Sequence, residues 1–135
     1  MMLEVAAALF RHEGKLFLCQ RPEGKARELQ WELPGGKVEP GESLQQTLER
    51  ECREELGISI RAGEEAAELI HTYPDVTVHL HVLHCAMGEE EPKLLEHRRH
   101  CWVRPEEALA LALCPADETF IRLWIETIQT EGEGL

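Results

Sequence analysis

Three glutamates near the middle of the chain have a spacing that suits metal chemistry. Glu51, Glu54 and Glu55 occupy positions i, i+3 and i+4, so in a helix their carboxylates lie on one face. Like charges at this spacing repel each other. Carboxylate oxygens are also the ligands that Mg²⁺ and Mn²⁺ prefer. These residues indicate a divalent-cation site, and the alternative is a solvated helix face in a glutamate-rich protein.

The segment around these glutamates carries the signals of a helix. Ser43 is a typical N-cap residue, and Gln46 follows three residues later, as a capping box requires. An apolar residue recurs at every fourth position and forms a narrow stripe, at Leu44, Leu48, Cys52 and Leu56. Gly57 supplies a C-terminal stop. We therefore expect a helix over Leu44–Leu56 that carries the three glutamates.

Strand and helix patterns alternate along the rest of the chain. Apolar runs and period-2 alternation predict strands at Leu3–Phe10, Leu16–Gln20, Trp31–Leu33, Ile58–Ile60, Glu68–Thr72, Val76–Cys85 and Cys101–Val103. The first two form a predicted hairpin. Further helices are predicted at Pro105–Leu111 and Ala116–Ile128, and the residues between Gly35 and Gly41 argue against regular structure. This order predicts an α/β fold with a mixed sheet and helices on both faces.

Length, composition and charge exclude several classes of protein. The 135 residues, 15.4 kDa, suffice for one domain, which we expect to span residues 1–135. A net charge of −12 gives a surface that repels nucleic acid polymers. No apolar run approaches the roughly 20 residues that cross a bilayer, and the N-terminus lacks the features of a secretion signal. We expect a cytoplasmic protein without a nucleic acid or membrane partner.

Three histidines and five cysteines have patterns that favour structural roles. His79, His81 and His84 lie in one predicted strand, where two of them share a face. This arrangement is more typical of a polar sheet face than of a metal site. The cysteines form no CxxC pair and sit mainly among apolar neighbours, which predicts reduced, buried side chains.

From Gly36 onward the chain reads GKVEPGESLQQTLERECREELGI, and this segment resembles the Nudix box. The fixed positions of the box are filled here by Gly36, Glu42, Arg50, Glu51, Glu54, Glu55 and Gly57, followed by the aliphatic Ile58. Chance is a poor explanation for so many matches, even in a glutamate-rich chain. Cys52 takes a position that usually holds an aliphatic residue, a departure that its small apolar side chain tolerates.

The resemblance covers nearly the whole chain and is greatest for the MutT-like branch, which includes 8-oxo-dGTP diphosphatases and CTP pyrophosphohydrolases. Trp31–Gly36 resembles that branch's approach to the box, and Gln20–Pro22 its phosphate-contacting strand. Cys101–Leu109 and Leu113–Asp117 resemble the end that holds the base. The resemblance implies a Nudix fold, an α/β/α sandwich with a mixed β-sheet. It also implies hydrolysis of a nucleoside triphosphate to the monophosphate and pyrophosphate with Mg²⁺ or Mn²⁺.

The same resemblance assigns catalytic and metal-binding roles. The implied metal ligands are Gly35, through its carbonyl, Glu51, Glu54 and Glu55. The implied catalytic residues are Glu54, Glu51, Arg50 and Glu96. Arg50 is expected to orient the glutamates. Glu96 stands six residues before Trp102, as a distant glutamate does in relatives. The implied role is that of a further metal ligand or a base. The alternative is a solvated acid in a loop.

Substrate binding is expected from Arg21, Leu33 and Asp117. Arg21 presents a planar fork that suits phosphate oxygens, and Leu33 lies in the approach to the box. Asp117 is expected to contact the base, where some MutT relatives have asparagine and CTP-directed relatives have aspartate. A carboxylate accepts from the exocyclic amino groups of both cytosine and guanine, so CTP-type, dCTP-type and 8-oxo-dGTP-type substrates stay open. A structural role as helix N-cap is the alternative.

Two other functions compete with triphosphate hydrolysis. The first is a Nudix-fold module that binds a nucleotide without cleaving it, and the repulsive carboxylate cluster argues against this. The second is a hydrolase of another nucleoside diphosphate-linked compound, for which the loops are short. A monomer and a homodimer are both compatible with the sequence.

Overall fold

Seven strands and three helices build residues 2–133, the part of the chain that the computed structural model describes, with side chains as far as residue 130. The strands are β1 (Met2–His12), β2 (Lys15–Gln20), β3 (Trp31–Glu32), β4 (Gly35–Lys37), β5 (Ile60–Thr72), β6 (Thr77–Met87) and β7 (Arg99–Val103). The helices are α1 (Leu44–Leu56), α2 (Pro105–Ala108) and α3 (Pro115–Glu133). None of the helices within residues 2–133 has the length and apolar character needed to cross a membrane.

The sheet is organised around β1. This strand pairs in parallel with β6 along residues 2–10, and antiparallel with β4 at residues 5–7 and with β2 at residues 11–12. β5 pairs with β6, and β3 and β7 pair with β2, all antiparallel. The predicted β1–β2 hairpin and the predicted mixed sheet are both confirmed.

Two apolar cores lie on opposite faces of the sheet because side chains alternate along β1. The core between β1 and α1 contains Ala6, Ala8, Phe10, Leu48, Cys52 and Leu56. The core between β1 and α3 contains Ala7, Leu9, Phe120, Ile121 and Trp124. Helices thus cover both faces, and the α/β/α sandwich is confirmed.

Helix α1 has the predicted bounds because its ends are set by local hydrogen bonds. Ser43 Oγ accepts from the Gln46 N–H at 3.1 Å, and Gln46 Oε1 accepts from the Ser43 N–H at 2.9 Å. At the other end Gly57 has a φ of 64° and donates its N–H to the Arg53 carbonyl. The left-handed conformation there favours glycine.

The expectation of irregular backbone between Gly35 and Gly41 is wrong for its first three residues, which form β4. A Cβ built on Gly35 would lie 2.0 Å from the Ala6 carbonyl oxygen. The glycine therefore permits a close approach to β1 that any side chain would prevent.

Of the two predicted strand pieces, Glu68–Thr72 lies within the long strand β5, whereas only the last residue of Ile58–Ile60 belongs to it. Its register against β6 shifts between Ala62 and Glu65 and again between Glu65 and Ala67. Such bulges interrupt the alternation on which strand prediction depends.

The bounds of two helices also differ from expectation, since α2 ends at Ala108 and α3 extends over Pro115–Glu133. All five cysteines are free; Cys85 and Cys101 are half-buried and the other three buried.

Candidate active site

A cavity of about 570 Å³ extends from the carboxylates of α1 to the first turn of α3. Its size is that of a small-molecule site. The structure brings most of the sequence-predicted residues into its wall, namely Arg21, Leu33, Gly35, Glu51, Glu55, Glu96 and Asp117. Arg50 and Glu54 are described by the structure but lie outside this wall.

Glu55 and Glu51 form the acidic end of the cavity. Glu55 is only 5% exposed, and its Oε1 accepts from the Gly35 N–H at 3.3 Å. Burial, together with the hydrogen bond and charge of Glu51, raises the pKa of Glu55 far above its usual range. The described partners of Glu55 bring no positive charge to it. A buried carboxyl pair of this kind binds either a proton or a cation.

Gly36 makes room for this pair. A Cβ built on Gly36 would lie 2.5 to 2.7 Å from the carboxyl atoms of Glu51. The carboxyl of Glu51 therefore rests against the backbone of β4, where no side chain intervenes. The oxygen-only donor set of Glu51, Glu55 and nearby backbone suits a hard divalent cation such as Mg²⁺ or Mn²⁺.

Arg50 connects α1 to the loop before it. Its guanidinium donates to both oxygens of Glu42, at 2.6 and 3.0 Å, and to Glu51 Oε1 at 2.8 Å. It also donates to Glu54 at 3.3 Å and to the Lys37 carbonyl at 3.0 Å. The hydrogen bond from Arg50 lowers the pKa of Glu42 to about 2. Arg50 thus holds the glutamates in place from behind the cavity, and Glu54, whose side chain is 53% exposed, stays on the outer side.

A cluster that sequence reasoning missed forms one side wall. Arg21 Nη1 donates to Glu32 Oε1 at 3.1 Å, and His97 Nε2 lies 3.0 Å from Glu32 Oε2. Glu32 therefore fixes Arg21 and His97 on either side of itself. The exposed Glu96 lines the cavity next to His97. In the sequence, Glu32 stands out only as part of the Trp31–Gly36 motif. No sequence signal connects it with His97, 65 residues away.

Asp117 lies at the far end, in the first turn of α3. It is 8% exposed, and its Oδ1 accepts from the Leu33 N–H at 2.9 Å. Burial, followed by the charge of Glu32, raises its pKa to about 8. Because α3 begins at Pro115, Asp117 stands inside the helix and not at the N-cap position. Its second oxygen is the one available to a ligand.

The mouth of the cavity beside Asp117 contains an aromatic residue that the sequence analysis did not single out. Tyr73 accepts the Ala116 N–H at 3.0 Å with its hydroxyl, and the Arg27 guanidinium lies 4.1 Å from its ring centroid. Arg27 also pairs with Asp75 at 3.0 Å. These contacts tie the loop after β2 to the turn between β5 and β6, 48 residues further along the chain.

Known proteins are similar to this chain over most of its length. The NUDIX domain family model matches residues 5–123. The chain is 43% identical over 116 residues to the CTP pyrophosphohydrolase of Escherichia coli (strain K12), and 86% of each chain is covered. It is 34% identical over 130 residues to the 8-oxo-dGTP diphosphatase of Haemophilus influenzae, covering 93% of this chain and 94% of that protein.

A solved structure agrees with these sequence matches. The crystal structure of the MutT protein from Methanosarcina mazei Go1 superimposes with a TM-score of 0.84 at 30% identity, and covers 93% of this chain and 94% of that one. Of the box residues, Gly36 on β4 and Glu51 and Glu55 on α1 line the cavity. The chain therefore belongs to the NUDIX domain family and is a Nudix hydrolase.

Proposed function

We propose that this chain hydrolyses a nucleoside triphosphate to the nucleoside monophosphate and pyrophosphate with Mg²⁺ or Mn²⁺. The observation that carries the proposal is the buried Glu51–Glu55 carboxyl pair, which opens onto a cavity of nucleotide size. Glu51 and Glu55 would hold the cation, with the Gly35 carbonyl as a further ligand. Glu54, which accepts from Arg50 on the outer side, would turn toward the cavity to join them. When bound, such an ion neutralises phosphate charge and lowers the pKa of water.

The chain's own residues account for orientation and proton transfer. Arg50 fixes Glu51 and Glu54 relative to the loop through its hydrogen bonds, so it is a positioning residue. A water that attacks phosphorus must lose a proton, and we assign that proton to Glu54 or Glu96, the two exposed carboxylates near the pair. The base is the one whose glutamine variant loses the acidic limb of the pH profile of kcat/KM.

Arg21 is assigned to the phosphates. Its Nε donates to the Ala26 carbonyl and its Nη1 to Glu32, so the guanidinium is held with Nη2 left for a phosphate oxygen. Charge-assisted hydrogen bonds of this kind are stronger than hydrogen bonds between neutral groups. Acidic side chains outnumber basic ones in the cavity wall, and the bound cation would correct that imbalance for a polyanionic substrate.

Asp117 and Leu33 are assigned to the base. Since Oδ1 of Asp117 is engaged by Leu33, Oδ2 would meet the exocyclic amino group of the base. A carboxyl whose pKa is about 8 is protonated over part of the neutral range and then also donates. We favour CTP-type or dCTP-type substrates, which agrees with the name of the 43% identical relative, or a broader nucleotide-pool sanitising activity that includes 8-oxo-dGTP. Free nucleotides in the cytoplasm, and not nucleic acid, are the proposed partners of an enzyme that acts as a monomer or homodimer.

The proposal is tested with a panel of nucleotides in which pyrophosphate and phosphate release are measured separately, with and without EDTA. We expect pyrophosphate release that requires Mg²⁺ or Mn²⁺ and is greatest for CTP, dCTP or 8-oxo-dGTP. Tight nucleotide binding without turnover would identify a binding module. Turnover confined to diphosphate-linked compounds would identify the other competing activity.

A further inference from the structure

We propose that Glu4, His79 and His81 form a second cation site, separate from the catalytic cavity, that binds a borderline divalent ion such as Zn²⁺ or Co²⁺. The three side chains each offer a ligand atom within 4.8 Å of the others. None of them lines the cavity described above.

The sheet register brings these residues together. Glu4 of β1 is directly opposite His79 of β6, and His81 follows two residues along the same face. This is the face that α1 covers further along, over Ala6 and Ala8. Sites built on paired strands hold their ligands more precisely than sites on loops.

One carboxylate oxygen stands between two imidazole nitrogens. Glu4 Oε1 lies 2.9 Å from His79 Nδ1 and 2.8 Å from His81 Nε2. The other nitrogen of each ring also faces a carboxylate, because His79 Nε2 lies 2.9 Å from Glu68 and His81 Nδ1 lies 2.6 Å from Glu65. Every ring nitrogen of the pair therefore faces an acidic oxygen.

This arrangement is incomplete for neutral histidines. A neutral imidazole carries one N–H. If those hydrogens are donated to Glu65 and Glu68, the two remaining lone pairs both face the Glu4 carboxylate without a proton between them, His79 Nδ1 at Oε2 and His81 Nε2 at Oε1. A cation at that point joins all three acceptors. The outer carboxylates then orient the rings as carboxylates commonly orient metal-bound histidines.

The ligand types select the ion. Two imidazole nitrogens and one carboxylate oxygen suit Zn²⁺, Co²⁺ or Ni²⁺ and leave a fourth position for water. Mg²⁺ prefers the oxygen-only set of the catalytic cavity. In a tetrahedral site the ligand atoms are roughly 3.3 Å apart, so Glu4 Oε1, at 2.9 and 2.8 Å from the two nitrogens, has to withdraw from each by about half an ångström. Its side chain is 46% exposed, which leaves room for that movement.

Co²⁺ is the probe for the test because its visible spectrum reports geometry and ligand type. The full chain is titrated with Co²⁺ in a large excess of Mg²⁺, which occupies the catalytic carboxylates. We expect one equivalent with the spectrum of a tetrahedral nitrogen and oxygen site, without the charge-transfer band of a cysteine ligand. We also expect Zn²⁺ to displace the Co²⁺ and to raise the Tm of the protein under the same conditions.

The variants His79→Gln, His81→Gln and Glu4→Gln should each weaken Co²⁺ binding at least about tenfold, since even the loss of a residue that orients a ligand costs about 10- to 100-fold in affinity. His84→Gln is the matched control, since His84 lies on the opposite face of β6 beside Trp124, and it should bind Co²⁺ like the wild type. Thermal unfolding in EDTA identifies any variant that fails to fold. Glu4→Gln keeps the shape of the side chain, whereas His79→Gln and His81→Gln remove a ring. Absence of Co²⁺ binding in excess Mg²⁺, or binding that survives Glu4→Gln in a folded protein, overturns the proposal.

Discussion

Glu55 is the residue on which the proposed cation site depends most directly, because it combines near-complete burial with a carboxyl neighbour. We predict that Glu55→Gln lowers kcat by about a hundredfold or more, since the amide keeps the shape but loses the charge that holds a cation. Stability in EDTA should stay equal to or above that of the wild type, because a neutral group suits the buried position. Steady-state kinetics and thermal unfolding measure the two effects.

Glu51→Gln should behave in the same way, and Glu49→Gln is the control on the same helix, since Glu49 does not line the cavity. Normal rates in both Glu51→Gln and Glu55→Gln, with metal present, would show that the box of this chain has no catalytic role.

Asp117 supports a prediction about pH. Its folded pKa of about 8 lies above the ordinary value of 3.8, so the folded state holds the proton more tightly than the unfolded state. The resulting stabilisation is complete below about pH 3.8 and is lost as the pH rises through about 8. Asp117→Asn retains the oxygen that accepts from Leu33 but does not titrate. As the pH rises from about 4 to 8, the free energy of unfolding of the wild type should therefore fall relative to that of this variant. Urea unfolding measures the difference.

The same variant tests base recognition, because an amide replaces one acceptor by a donor. The ranking of kcat/KM among CTP, dCTP, dGTP and 8-oxo-dGTP should change. An unchanged ranking would remove Asp117 from the base site.

At the scale of elements, β4 and α1 position the carboxylates together, and the two glycines of β4 have separable roles. Gly35→Ala would place a Cβ against the Ala6 backbone, so we predict a clear loss of stability. Gly36→Ala would meet the movable carboxyl of Glu51, so we predict a fold of nearly normal stability with kcat reduced about tenfold or more. Gly88→Ala is the control, since its Cβ would meet open space. Urea unfolding and kinetics on the three variants separate the effects, and equal loss of stability at Gly36 and Gly35 would contradict the assignment.

The elements also show which parts of the structure the sequence could predict. The bounds of α1 follow from Ser43, Gln46 and Gly57, which act within a few residues of one another. β4 depends on contact with β1, some 30 residues away in the chain, and the course of β5 depends on bulges against β6. Among the candidate site residues, Glu51 and Asp117 could be proposed from motifs, whereas the partnership of Glu32 with His97 exists only after folding.

For the whole molecule, the Arg27–Asp75 pair joins two distant loops in the wall of the cavity. We predict that Arg27→Ala raises KM several-fold with little change in kcat, because the pair shapes the mouth and does not touch the carboxylates. Exposed ion pairs contribute only about 0–1 kcal/mol, so stability should change little. Arg122→Ala, which removes the Arg122–Glu118 pair on the surface of α3, is the matched control. A fall in kcat with unchanged KM would contradict this role.

The parallel pairing of β1 with β6 has a consequence for how the protein reaches its structure. One edge of β1 finds its neighbour only at residues 77–85, so the central strand closes a loop of more than half the chain. Contacts of such long sequence separation slow folding. During synthesis, α1 has its local caps as soon as Gly57 is made, and β4 can pair with one edge of β1, but the other edge of the apolar stretch from Ala6 to Phe10 waits for β6 to emerge. Until then that edge is unpaired, and unpaired apolar strand edges favour aggregation.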